Sequence, residues 1–125
     1  GNNFVKTMLR LGKEREELSV VADQIGTPTN AADLAKAILD ILPKITNEVV
    51  EIFHYSNEGV CSWYDFSKAI FDINGMDVKL NPIESKAYPT PAKRPFYSVL
   101  NKRKIKEIYN LDISHWKDSL KSYWK

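Results

Sequence analysis

The sequence predicts a mixed α/β lobe, of the α+β kind, with short strands and about five helices. Three observations predict it. Several stretches carry apolar residues at helical spacing behind a capping Asn, Ser or Thr. Short β-branched and aromatic runs alternate with them, the pattern of a mixed domain. The 125 residues are 43% hydrophobic and 27% charged, with only five Gly and six Pro, which is a folded rather than a disordered composition. Residues 1–125 therefore read as one domain, able to bury roughly two-thirds of its unfolded surface.

Each element follows from local signals. Asn2 or Asn3 caps a helix from Phe4 to Leu11, with Phe4, Met8 and Leu11 on one face and Gly12 as its stop. Leu18–Val21 is a short strand, and Asp23–Pro28 is loop chemistry. Thr29 or Asn30 caps an amphipathic helix from Ala31 to Leu42, with Leu34, Ala35, Ile38, Leu39 and Leu42 on one face, ended by Pro43. Val49–Tyr55 reads as a buried strand and Ser56–Gly59 as a turn. Ser62 caps a third helix with Trp63, Phe66, Ile70 and Ile73 inward, and Asn74-Gly75 ends it. Val78 to Ile83 holds another strand. Tyr88 to Pro95 has three prolines in eight residues and is an extended irregular loop. Phe96–Leu100 is a brief strand. Asn101 caps a helix from Lys102 to Tyr109, and Ser114 caps the last, with Trp116, Leu120, Tyr123 and Trp124 as its apolar residues.

The net charge of +2 hides an asymmetry. Residues 1–85 hold eight Lys/Arg against thirteen Asp/Glu, a net of −5, and residues 86–125 hold ten against three, a net of +7. A basic C-terminal third suits an anion: a phosphorylated ligand, nucleic acid or an acidic surface. The run Lys102-Arg103-Lys104-Ile105-Lys106 lacks the interleaved aromatic platforms of a nucleic-acid site, so it reads as a solvated face and no nucleic-acid partner is expected. No apolar run reaches the roughly 18 residues of a membrane helix, and no membrane partner is expected. The first residues have neither the basic nor the apolar region of a signal peptide, and Gly1 in place of Met reads as the start of a cut-down chain. A single cysteine, Cys61, forms no internal disulfide, which fits a reducing, cytoplasmic setting.

Catalytic constellations are sparse. His54 and His115 are the only histidines, and no Cys-x-x-Cys or His-x-x-x-His spacing supports a metal site. His54 lies in an apolar run and reads as a core or strand-end histidine. Tyr64 and Lys68 match Tyr-x-x-x-Lys, a pair in which the lysine lowers the tyrosine's pKa and readies it as a proton donor. With six tyrosines and fourteen lysines, one such match is expected by chance, and packing is the simpler reading. No glycine-rich phosphate loop exists. Two loops are more informative. Asp23–Thr29 presents Asp, Gln and Thr side chains between a strand and a helix, where ligands dock. In Lys93-Arg94-Pro95 the arginine is held between prolines, and a guanidinium meets a phosphate or carboxylate bidentately.

These blocks resemble dTDP-4-dehydrorhamnose reductases, a family of extended short-chain dehydrogenases. The matching residues are Asn3-Phe4-Val5-Lys6-Thr7-Met8-Leu9, Leu18 to Thr29 with its Asp23-Gln24-Ile25-Gly26-Thr27-Pro28-Thr29 block, Ala32-Asp33-Leu34-Ala35, His54 to Gly59, Ser62-Trp63-Tyr64-Asp65-Phe66, and Pro91 to Pro95 with Ser98-Val99-Leu100. The resemblance spans nearly the whole chain and only the C-terminal, substrate-binding portion of such a reductase. It implies an NADPH- or NADH-dependent reduction of the C4 keto group of dTDP-4-dehydro-L-rhamnose to dTDP-L-rhamnose. It also implies that the N-terminal Rossmann cofactor domain and every catalytic residue lie outside this chain, which is then inactive alone. Asn3 and Arg94 correspond to contacts with the nucleotide diphosphate. Gln24 and Thr27 are weaker sugar-nucleotide candidates, and Phe4 or Tyr97 would stack on thymine or line the sugar site. The segment Val49–Tyr55 resembles the last strand of the cofactor domain's sheet, with partner strands missing here. Some members bind magnesium through glutamates at a dimer interface; a homodimer is open, and no glutamate here is matched to that metal. Two other readings stay open: the substrate lobe of another sugar-nucleotide reductase or epimerase, and a non-catalytic basic interaction module.

Overall fold

The computed structural model describes residues 1–124 and divides into two compact units. The first is built from Gly1–Gly26 and Cys61–Ser98, and the second from Thr27–Val60 and the chain from Val99 on. Five α-helices and four short strands among the described residues make it a mixed α/β chain, as the sequence predicts.

In the first unit, helix α1 (Phe4–Glu14) is capped by Asn3, whose side-chain oxygen accepts from the Lys6 backbone N–H at 2.9 Å. It runs past Gly12. That glycine is an approach point rather than a stop, because a Cβ there would lie 2.6 Å from a ring carbon of Phe71. Strand β1 (Glu17–Val21) pairs in parallel with β4 (Lys79–Ile83), Leu18 opposite Leu80 and Val20 opposite Pro82. Parallel strands need a long crossover, and helix α3 (Trp63–Ile73) in that connection packs against both. Ser62 and Asp65 form a capping box at its start. Ile70 and Phe71 are fully buried among Met8, Leu18, Val20, Phe66 and Val78. Each contributes on the order of 1.5–3 kcal/mol by leaving water.

The same unit holds a two-residue antiparallel pair, β2 (Ile25–Gly26) with β3 (Cys61–Ser62), inside stretches that read as loop and cap. The brief strand expected over Phe96–Leu100 is reduced to one bridge, Ile25 with Tyr97, framed by Ile25 N–H to Phe96 O at 2.8 Å and Ser98 N–H to Ile25 O at 2.9 Å.

In the second unit, helix α2 (Ala31–Ile41) is capped by Asn30. Its apolar face lines up as expected but is not covered: Leu34, Ile38, Leu39 and Leu42 are exposed, and only Ala37 is buried. Val49–Tyr55 is not a strand. Its N–H and C=O groups find no neighbouring strand, and Val50 is 95% exposed. His54 is accordingly exposed rather than buried. The core of this unit is Ile105, Tyr109 and Ile113, with Phe53, Tyr55, Ile41 and Leu111 packed against it. Helix α4 (Arg103–Tyr109) supplies two of these and ends at Asn110 in the left-handed region, φ 52°. Helix α5 (Trp116–Ser122) is capped by His115 rather than Ser114, its Nδ1 accepting from Lys117 N–H at 3.2 Å. Tyr123 and Trp124, expected among its apolar residues, follow the helix half-exposed.

Candidate functional site

Three of the five candidate ligand residues cluster at the start of α1 in the first unit. Asn3 uses its side-chain oxygen as the helix cap, which leaves its Nδ2 donor without a partner among the described residues. Phe4 sits against Trp63, ring centroids 4.8 Å apart, and stacks on buried Phe66 at 5.6 Å. The Gln24 amide is engaged at both ends: its Nε2 donates to Ser85 Oγ at 3.0 Å, and its Oε1 accepts from the Trp63 indole N–H at 3.2 Å. Ser85 in turn donates its backbone N–H and hydroxyl to Asp23. The Ser85 hydroxyl, followed by its backbone N–H, holds the Asp23 carboxyl below its ordinary value.

Arg94 belongs to the same unit and lies exposed in the proline-rich loop, with no ion-pair partner among the described residues. Thr27 belongs to the second unit, where its hydroxyl donates to Gly59 O at 2.7 Å. Phe4 and Gln24 both converge on Trp63, which lies in one of the matching blocks but is not among the candidate residues of the sequence. The signal for it was a large aromatic directly after the Ser62 cap, where a helix begins with one side to solvent.

The basic run of the second unit is a solvated face at Arg103, Lys104 and Lys106, which are exposed, but not at Lys102. Lys102 is buried, and its ammonium donates to Asn57 O at 2.8 Å and lies 3.3 Å from Glu58. Lys106 meets Glu58 at 2.6 Å, and Lys104 sits 4.4 Å from the Phe53 ring centroid. Hydrogen bonding from Lys106, opposed by partial burial and aided by Lys102, holds the Glu58 carboxyl below its ordinary value. A cavity of about 530 Å³ opens beside this cluster, lined by Glu58, Lys102, Arg103, Lys106 and Glu107 among others, so its cations face two carboxylates. The cluster leans on Asn57, which is fully buried and donates to Asp33 at 2.7 Å and Ser114 O at 3.1 Å while accepting from Asn30 N–H at 2.8 Å. Gly59 makes the adjoining turn possible: its φ is +82°, and a Cβ there would lie 2.2 Å from His115 Nε2.

Tyr64 and Lys68 do not form an acid pair, because Lys68 is committed to Asp72 at 2.9 Å. Cys61 is buried, and burial followed by the Asp65 charge pushes its thiol up to about 12, well away from a nucleophile's range. No group of three or more His, Cys, Asp or Glu among the described residues is placed to hold a metal ion. No described helix is long and apolar enough to cross a membrane.

All of residues 1–125 match the family described as RmlD substrate binding domain. The chain belongs to that family. It is 46% identical to a dTDP-4-dehydrorhamnose reductase of Aggregatibacter actinomycetemcomitans over 98% of its own length and 45% of that protein's. A crystal structure of a dTDP-4-dehydrorhamnose reductase from Clostridium acetobutylicum superposes with a TM-score of 0.89 at 48% identity, covering 99% of this chain and 43% of that one. The Bacillus anthracis reductase, solved in complex with NADP, gives 0.88 at 42% identity, covering 99% of this chain and 42% of that one. The chain thus spans less than half the length of the curated relatives it matches.

Proposed function

We propose that this chain is the sugar-nucleotide-binding part of a dTDP-4-dehydrorhamnose reductase, which reduces the C4 keto group of dTDP-4-dehydro-L-rhamnose with NAD(P)H. The observation that carries the reading is that all 125 residues match the substrate-binding domain of that family, with reductases among the relatives above 40% identity. The site chemistry supports it. A diphosphate carries about two negative charges, and the unpaired Arg94 guanidinium and the free Asn3 Nδ2 are donors for it. The nicotinamide cofactor does not fit the residues present: the sequence has no glycine-rich loop, and the positive-φ glycines, Gly59 and Gly75, stand alone. Hydride chemistry is therefore assigned to the part of the reductase outside this chain. The exposed Leu34, Ile38, Leu39, Leu42 face of α2, with Val49, Val50 and Ile52, is where that part would pack.

Calorimetric titration with dTDP tests the reading. Binding is expected, weakened about tenfold or more by Arg94→Ala through loss of a charge-assisted contact. Absence of dTDP binding would remove the reading, and an Arg94→Ala variant that binds as tightly as the unmodified chain would remove Arg94 from the site. The chain by itself is expected to oxidise no NADPH in the presence of the keto sugar nucleotide.

A further inference from the structure

We propose that Trp63 is the stacking platform for the nucleotide base and that Gln24 is a positioning residue that holds it. This rests on the sugar-nucleotide reading above. Trp63 is the first residue of α3 and is 43% exposed, yet it is not loose. One part of the indole lies against Phe4, which is itself stacked on buried Phe66. Its N–H is fixed by Gln24, Gln24 by the Ser85 hydroxyl, and Ser85 by the Asp23 carboxylate. An aromatic ring ordered in advance loses little freedom when a ligand ring settles on it.

The hydrogen-bonding pattern decides which ring. The indole's only donor is spent on Gln24, the Gln24 amide is engaged at both its oxygen and its nitrogen, and Ser85 and Asp23 are bonded to each other. With its one donor used, what the half-exposed indole itself offers a ligand is apolar ring surface. A hexose needs partners for its hydroxyls beside such a face. A flat pyrimidine needs only the face, with its polar edge left to water or other groups. Asn3, one residue before Phe4, keeps its Nδ2 without a partner among the described residues, a donor for a phosphate.

The test compares dTDP with inorganic pyrophosphate on the 125-residue chain. Trp63→Leu is expected to weaken dTDP about tenfold, the scale of one base–aromatic stack, while leaving pyrophosphate affinity unchanged. Trp63→Phe keeps a ring and is expected to stay within about threefold of the unmodified chain for dTDP. In the unmodified chain dTDP, but not pyrophosphate, is expected to quench tryptophan fluorescence, and Trp63→Phe abolishes that quench. Equal loss of both ligands in Trp63→Leu, or dTDP binding as tight as before, or no base-dependent quench, overturns the stack while the nucleotide reading stands. No binding of dTDP by the unmodified chain overturns both.

Discussion

The two units bury their apolar residues differently. In the first, α3 presses Phe66, Ile70 and Phe71 onto a parallel strand pair and α1, and the large side chains at helical spacing point inward. In the second, the most regular apolar face, that of α2, points outward, and the small apolar core of Ile105, Tyr109 and Ile113 is joined by a polar hub of Asn57, Asp33 and Lys102. A unit built like the first carries its own hydrophobic stabilisation. A unit built like the second adds to a small core hydrogen bonds that are costly to leave half-made, and it keeps an apolar face for another surface.

Mutations at matching positions sharpen that contrast. Phe71→Ala is expected to destabilise the chain by about 3–5 kcal/mol, while Leu39→Ala, exposed on α2, changes stability by less than about 0.5 kcal/mol. Equilibrium urea unfolding reads both, and a large effect at Leu39 would show that its face is covered in solution. Asn57→Ala comes next, at about 2–3 kcal/mol, because it empties a fully buried position and strips the partly buried Asp33 carboxylate of a donor and the Asn30 N–H of an acceptor. A loss below about 0.5 kcal/mol would mean that water replaces those bonds.

Acid acts on both units, since Asp23 in the first and Glu58 in the second are each held below the ordinary carboxylate value, and a variant at Glu58 isolates the second. Glu58 titrates below its ordinary value of 4.5, so its stabilising contribution is fully present above that value and is lost as pH falls through the depressed one. Urea midpoints are expected to fall as pH is lowered from about 5 toward 3, and Glu58→Gln flattens part of that fall. An unchanged slope in Glu58→Gln would place the acid sensitivity elsewhere. The smallest effect is chemical. At pH 8 the Cys61 thiol of the folded chain stays unmodified by a thiol reagent that labels it at once in urea, since its thiol is raised to about 12. Fast labelling of the folded chain would show that the first unit opens readily around β3.

Signals that act within four residues were legible. Asn3, Asn30 and the Ser62–Asp65 box cap their helices because a cap is made by neighbours in the chain. The family was legible too, from loop blocks whose residue types are fixed by the turns and contacts they make. The site was legible only in part: Phe4 and Gln24 stand in informative blocks, whereas Trp63 joins them from 39 residues beyond Gln24.

The sequence by itself determined the helices, the caps at Asn3, Asn30 and Ser62, the proline-rich loop with Arg94 and the family, but not the His115 cap of the last helix. Only the tertiary structure decided that Gly12 is a close approach to Phe71, that Val49–Tyr55 has no strand to pair with, that Lys102 is buried on Asn57, and that Gln24 is committed to Trp63. The physical reason is common to these four. Each depends on what distant residues bring to the place, and a ladder partner, a desolvated ammonium or a stacked ring has no signature in the chain's own periodicity.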